Sequence, residues 1–434
     1  MDTLLAAAVY VVPFVIGLLL FAMTRRRANR RANRTWEESK EAGLTEPTSL
    51  HPHIDLSLCC GSGACVTACP EHTVIGLVDG KAQVVDPTAC IGHGACAAAC
   101  PTQAITLVFG TEKRGVELPV VSPEFQTNVP GLFIAGELGG MGLIRNAITQ
   151  GVQAMESIAK LPGLRRADRL DVLIVGAGPS GFAASLAAKE KGLRALTIEQ
   201  ETFGGTVSHF PRGKLVMTAP ARLPIIGQMK FREVSKETLM GFWKDARDQA
   251  ALDISYEEQL IGLDRDGDGF VATTSKGRHR ARAVLLCIGR RGSPRKLGVP
   301  GEEQSKVVYR LADPEQFAGQ RVLVVGGGDS ALEAAATIAE ETNAIVDLSY
   351  RSDAFARAKR KNRARVDAAA ASGRLTVRLS SHITSISKSA VQLKTANGPI
   401  ELPNDAIIVC AGGVLPTDFL KSIGIHTTTK YGEA

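Results

Sequence analysis

The chain has no C-x-x-C pair among its nine cysteines, so the usual reactive dithiol of a disulfide-exchanging enzyme is missing. It also lacks any broad spread of positive charge. The formal net charge is +7, but Arg25, Arg26, Arg27, Arg30, Arg31 and Arg34 crowd into RRRANRRANR and account for most of the excess. The balanced remainder argues against a nucleic-acid partner. Residues 3–23 contain no charged side chain at all. About twenty apolar residues suffice to cross a hydrocarbon core, and Pro13 is tolerable in such a helix. A signal peptide would carry its positive charge before the apolar run, whereas here the arginines follow it. The positive-inside rule then predicts a single-pass anchor (1–24) in the cell inner membrane, with the N-terminus outside and the other domains cytoplasmic. A basic, polar tether is expected over 25–52. Finally, LDRDGDGFVATTS (263–275) lacks the twelfth-position glutamate of a calcium loop and has Ser275 there. Asp264, Asp266 and Asp268 therefore read as part of a hairpin turn.

With 434 residues, 44% hydrophobic content and 44 glycines, the chain fits a globular α/β enzyme of two or three domains. Seven of its cysteines fall between residues 59 and 100, a density that suggests metal rather than disulfides. Two segments align on each other, CCGSGACVTACP (59–70) and CIGHGACAAACP (90–101), and each continues into an apolar strand. This repeat closely resembles the bacterial-type two-cluster ferredoxins, whose run is C-x₂-C-x₂-C-x₃-C-P. The second cysteine is replaced by Ser62 in one loop and His93 in the other. In that family the last cysteine of each loop serves the other loop's cluster. The resemblance therefore implies one site from Cys59, Cys65 and Cys100, and another from Cys90, Cys96 and Cys69. Three-iron clusters would need only these thiolates. Four-iron clusters could add His93, Ser62 or a displaced Cys60. A fold that has lost its metal, or holds zinc, is the remaining alternative.

DVLIVGAGPSGFAASLAAKEKGLRALTIEQ (171–200) reads as strand, glycine turn, helix and strand. Gly176, Gly178 and Gly181 give G-x-G-x-x-G in the right context, and Glu199 closes the unit 23 residues past Gly176. Such a turn brings backbone N–H groups to a pyrophosphate, and the acid takes ribose hydroxyls. QRVLVVGGGDSALEAAATIAEETNAIVDLSYRSD (320–353) is a second unit, with Gly326, Gly328, Ser330 and Ala331 in its loop. Arg351 stands where an NAD-type site would have an acid, which favours a 2′-phosphate and hence NADPH. With FGGTVSHFP (203–211, containing Gly204 and Gly205), AVLLCIGRRGSPRKLGVPGEE (283–303) and AIIVCAGGVLPTDFL (406–420), these stretches resemble the flavin-dependent pyridine nucleotide–disulfide oxidoreductases. The likeness is to the small thioredoxin-reductase-like branch, which includes bacillithiol disulfide reductase-like proteins and a type of ferredoxin–NADP reductase.

That family ends in a flavin-binding segment that is absent after residue 420. A segment of its form occurs instead before the first glycine loop, as TNVPGLFIAGELGGMGLIRNAITQGVQAMESIAK (127–160). The order looks circularly permuted, with LPGLRRADR (161–169) as the new linker. By position, Gly136 and Glu137 would face the flavin's ribityl-phosphate part, with Glu137 in place of the family's aspartate. Asn146 and Ala147 would face its ring.

The expected fold is α/β: two Rossmann-like nucleotide-binding domains, a small α+β ferredoxin-like domain and one N-terminal transmembrane helix. The expected divisions are 53–110 ferredoxin-like, 111–165 permuted flavin segment, 166–302 FAD domain, 303–411 NADPH domain and 412–434 returning to the FAD domain. Cys287 and Cys410, at strand ends, read as small buried core residues. The resulting expectation is an FAD-dependent NAD(P)H oxidoreductase linking NADPH and FAD to two iron–sulfur clusters and an external electron partner. That partner would be a ferredoxin, a quinone or a membrane redox complex, and a homodimer is compatible. A flavin-dependent disulfide or low-molecular-weight thiol reductase, and a non-enzymatic redox sensor, are the alternatives.

Overall fold

A computed structural model describes the chain except residues 1, 42–46, 48–49, 91, 93, 113–114, 141, 219, 291, 357 and 433–434. It divides into two compact units, Met1–Lys113 with Ala356–Arg360 and Gly432–Ala434, and Arg114–Phe355 with Lys361–Tyr431.

The first unit begins with a helix over Asp2–Glu41. Among the described residues, no helix is long and apolar enough to cross a membrane. This overturns the expected anchor and, with it, the placement in the inner membrane. The tether expectation also differs from the structure, because residues 25–41 continue the helix and its last turns dock. Ala32 is buried with Val78 and Val85, Trp36 packs against them, and the Ser39 hydroxyl donates to the Val85 carbonyl at 2.7 Å.

The docking partner is an antiparallel hairpin, Ile75–Val78 with Lys81–Val84. A second antiparallel pair joins His51–Ile54 to Ile105–Val108. Two short helices, Ala64–Ala68 and Ala95–Ala98, follow the two cysteine loops. Cys59, Cys65, Cys69, Cys90 and Cys96 share a small core with Val74, Ile75, Ala82, Ala104 and Ile105. The repeat in the sequence is thus a repeat in structure: loop, short helix, apolar strand.

The second unit holds two sheets built around parallel strands, of the kind that valine- and isoleucine-rich runs form when both faces are covered; the first also carries antiparallel strands. In the first, Leu170–Val175 lies between Ala195–Ile198 and Arg278–Leu286, all parallel. Arg278–Leu286 then pairs antiparallel with Gly269–Thr274, and that with Leu260–Asp266. Leu132–Ile134 joins the same sheet, parallel to the end of Arg278–Leu286 with Leu285 opposite Phe133. Residues well upstream of the glycine loop therefore complete its sheet. In the second sheet five parallel strands run in the order Val307–Val308, Ala406–Val409, Arg321–Val325, Ile345–Ser349, Leu375–Arg378. The C-terminal strand Thr427–Lys430 pairs antiparallel with Val116–Pro119, Lys430 opposite Val116. The calcium-like stretch is the expected hairpin. Asp266 is bonded to Arg280, and Asp268 clamps Arg169, whose guanidinium also donates to Gly163 O and so secures the linker.

Candidate redox sites

The two cysteine loops share a backbone conformation, with left-handed glycines at Gly61 and Gly63 in the first and Gly92 and Gly94 in the second. At Gly61 a Cβ would lie 2.0 Å from the Gly80 carbonyl oxygen, so the loop can lie against the hairpin turn only as glycine. Bent this way, the loops leave two pockets. Cys59, Cys65 and Cys100 line the first. Cys69, Cys90 and Cys96 line the second. Of the six cysteines that the ferredoxin resemblance assigns, each pocket takes two from one loop and the third from the other. Cys60 and Ser62 also line the first pocket. The Ser62 hydroxyl accepts a long 3.4 Å bond from Ala64 N–H. His93 lies outside the described residues.

Among the described residues, no three His, Cys, Asp or Glu side chains converge closely enough to hold a single metal ion. Burial pushes the Cys65, Cys90 and Cys96 thiols up. Burial acts the same way on Cys100, but hydrogen bonds from Thr102 and from backbone N–H groups outweigh it and its thiol is lowered. Amide-to-sulfur bonds reach Cys59 from Ala82 at 3.4 Å and Cys100 from Ala104 at 3.3 Å. Sequence reasoning missed Glu71 and Thr102, each placed just after a C-P pair; they line the second and the first pocket respectively.

The first glycine loop sits where Leu170–Val175 gives way to the helix Pro179–Glu190. A Cβ on Gly181 would lie 1.8 Å from the Gly176 carbonyl oxygen, and one on Gly176 would lie 2.6 Å from that of Cys287. Gly178 precedes the helix in extended conformation, and Gly204 N–H donates to Ala177 O at 3.0 Å, laying Gly204 and Gly205 on the loop. Glu199 is buried, and its carboxylate accepts from Ala177 N–H at 2.7 Å and Glu201 N–H at 2.9 Å. Burial raises its pKa against the pull of those bonds. Gly136 reaches the same loop from the upstream segment. Its N–H donates to the Gln150 side chain at 2.8 Å, and a Cβ there would meet Ser180 at 2.9 Å. Glu137 is exposed at the start of a short 3₁₀ turn whose Leu138 is buried, while Asn146 and Ala147 lie in the first turn of the helix Ile144–Ile158. Gln150 was not singled out from sequence, since one glutamine on a helix carries no local signal.

In the second loop, Gly326 has φ 141° and Gly328 opens onto free space before the helix Asp329–Glu341. Ala331 is buried, Ser330 is exposed on the first turn, and Arg351 is exposed just beyond Ile345–Ser349. The ring of Tyr350, which stacks on Phe355 at 5.6 Å, covers Gly327 so closely that a Cβ there would fall 2.3 Å from it. Cys287 is buried and its thiol is pushed up to about 12. Cys410 is half-buried, a departure from the expected core position.

Residues 173–433 match the pyridine nucleotide-disulphide oxidoreductase family, and residues 51–101 match the 4Fe-4S dicluster domain. A ferredoxin–NADP reductase of Ignicoccus hospitalis is 29% identical over 264 residues, 60% of this chain and 83% of that protein. One from Streptococcus agalactiae is 30% identical, covering 56% and 73%. Among solved structures, the bacillithiol disulfide reductase Bdr of Staphylococcus aureus superposes with a TM-score of 0.52 at 21% identity, over 61% of this chain and 85% of that one. That likeness concerns the fold alone. FAD, NADPH and iron–sulfur clusters are the cofactors these matches support, and the loops and pockets above fit them. The chain belongs to the pyridine nucleotide-disulphide oxidoreductase family and is an NAD(P)H-dependent flavoprotein oxidoreductase carrying an iron–sulfur domain.

Proposed function

We propose that this enzyme exchanges electrons between NADPH and a one-electron protein carrier of the ferredoxin type, through FAD and two iron–sulfur sites in its own cysteine loops. One observation carries the reading: six thiols partition into two pockets, each completed by a cysteine of the other loop. Bound flavin supplies the conversion between a hydride donor and one-electron acceptors, and the clusters take electrons singly.

The side chains' work is placement. Gly176, Gly178, Gly181, Gly204 and Gly205 leave backbone room for a pyrophosphate at a helix N-terminus, and Glu199 has lone pairs left for ribose hydroxyls. Gly136 and Glu137 flank the ribityl-phosphate part, with Asn146 and Ala147 towards the ring. Gly326, Gly328, Ser330 and Ala331 hold the nicotinamide dinucleotide, and Arg351 its 2′-phosphate. Hydride transfer needs no protein acid or base, so none is assigned. The domain divisions follow from a circular permutation. The pairing of Thr427–Lys430 with Val116–Pro119, and the place of Leu132–Ile134 in the first sheet, support it.

A disulfide reductase is the weaker reading. No C-x-x-C pair exists, and a thiol as buried and basic as Cys287 supplies no thiolate at neutral pH. The test is anaerobic purification with iron, sulfide and flavin counts, followed by NADPH-driven reduction of an added ferredoxin. Replacing the six pocket cysteines by serine should abolish ferredoxin reduction while ferricyanide reduction continues. Absence of iron, or ferredoxin reduction that survives the replacement, would sink the proposal.

A further inference from the structure

The arginine block of the helix Asp2–Glu41 has two sides with different fates. At 3.6 residues per turn, Arg25, Ala32, Trp36 and Ser39 fall on one side. That side is seated: Ala32 and Trp36 pack with Val78 and Val85, Ser39 donates to Val85 O, and the Arg25 guanidinium donates to Gly61 O at 3.3 Å. Arg26, Arg27, Arg30 and Arg31 take the opposite side, and all four are exposed. Arg26 with Arg30, and Arg27 with Arg31, stand four residues apart, where like charges repel and weaken a helix. Among the described residues, the ion pairs of this helix are Arg34–Glu38 and Glu38–Arg360, and no acid offsets those four arginines. The other basic stretch, 357–365, differs in this respect, since Arg360 and Arg365 are paired with Glu38 and Glu340. Stability of the helix does not account for the four, whereas an anionic partner does.

Where the helix is seated says what that partner is. The carbonyl that Arg25 holds belongs to the first cysteine loop, and Gly61 itself lies against the Gly80 turn of the hairpin on which the helix docks. The block is therefore fixed beside the first pocket, which Gly61 and its exposed neighbour Ser62 help to line. Leu56 and Leu58, just ahead of Cys59 in the same loop, are 47% and 54% exposed. Apolar side chains and a charged rim together make a protein–protein interface, and electron-transfer encounters need only a small one.

We propose that Arg26, Arg27, Arg30 and Arg31 are the docking surface for a small acidic protein electron carrier, which they bring up to the first cysteine loop. This rests on the electron-transfer reading above and adds to it the carrier's charge and its point of approach. One electron passes per encounter, with no bond or proton exchanged, and NADPH is the reductant. Opposite charge steers the carrier to the loop and so acts on the rate of encounter.

The test uses the full chain, loaded anaerobically with FAD, iron and sulfide and kept at saturating NADPH. Its acceptors are an acidic ferredoxin, a basic cytochrome c and menadione, which is uncharged. With Arg26→Glu, Arg27→Glu, Arg30→Glu and Arg31→Glu combined, the rate constant for ferredoxin should fall at least about tenfold at low salt. That for cytochrome c should rise and that for menadione stay the same. These differences should vanish near about 1 M salt, where the screening length is about 3 Å. Lysine at the same four positions should keep the ferredoxin rate within about twofold, since it keeps the charge. If the wild type reduces ferredoxin and the glutamate variant does so equally fast, the docking surface is overturned and the electron-transfer reading stands. Equal rates joined to lost sedimentation with phosphatidylserine vesicles overturn it in favour of a lipid surface. A wild type that reduces menadione but no ferredoxin overturns both readings. Should the glutamate variant fail to fold, the wild type decides: its ferredoxin rate must fall steeply with salt while its cytochrome c rate does not, and a flat ferredoxin profile overturns the proposal.

Discussion

Gly181 shows how little room the flavin loop leaves at a single atom. A methyl there would sit 1.8 Å from the Gly176 carbonyl, and a backbone oxygen cannot step aside as a flexible side chain does. Gly181→Ala should therefore cost about 1–3 kcal/mol of stability and lower bound FAD. A purified variant with full flavin content and unchanged Tm would refute this. Asp268 makes the opposite kind of point, through charge. Its hydrogen bonds with Arg169, helped by Arg282 and Arg166, hold its pKa well below the ordinary carboxylate value of about 3.9. A depressed folded-state pKa means that the pair's contribution is complete above about pH 4 and is lost as the pH falls through the folded value. Part of the acid-side fall in Tm should disappear in Asp268→Asn, whose Tm plotted against pH is expected to be flatter below about pH 4. Glu199 has the reverse sign. Burial raises its pKa, so its contribution is greatest at low pH and declines as the pH rises through the raised value.

At the scale of elements, the contact that binds the upstream segment to the nucleotide fold is a helix crossing. Ile144–Ile158 meets Pro179–Glu190 so closely at Gly151 that a Cβ would stand 2.1 Å from Ser180 O. Gly151→Ala should push the helices apart, lower Tm by a few degrees and loosen flavin, the last shown by faster release on dilution. A variant with wild-type flavin retention would mean that the crossing does not position Gly136. The glycine loops and cysteine repeats were legible in sequence because each needs particular residues at fixed spacing for a local backbone reason. The docking of residues 25–41 was not. Its apolar seam runs through Ala32 and Trp36 with Ser39 beside them, helically spaced but submerged among arginines and glutamates, and what these meet lies more than forty residues away. Tyr350 over Gly327 was equally hidden, since a tyrosine at a strand end does not announce which loop its ring will cover.

For the molecule as a whole, the junction between Thr427–Lys430 and Val116–Pro119 is a hairpin whose turn is open. On the circular permutation proposed above, a chain of residues 161–431, a short turn and then residues 115–160 should bind FAD on its own. Its flavin spectrum and two-state melting would confirm this. An insoluble or flavin-free product, with several turn sequences tried, would argue that the upstream segment is held by something other than the hairpin and the helix crossing.

The same hairpin sets a schedule for synthesis. Thr427 bonds Glu117 across a separation of 310 residues. At about 5–20 residues per second, the earlier strand leaves the ribosome roughly 15–60 s before its mate exists. The strands beside the cysteine loops pair among themselves, although Arg360 and Gly432 join this unit only later. The nascent protein would thus have its loop strands paired while Val116–Pro119 is still a bare strand edge, the kind of surface on which holding chaperones act.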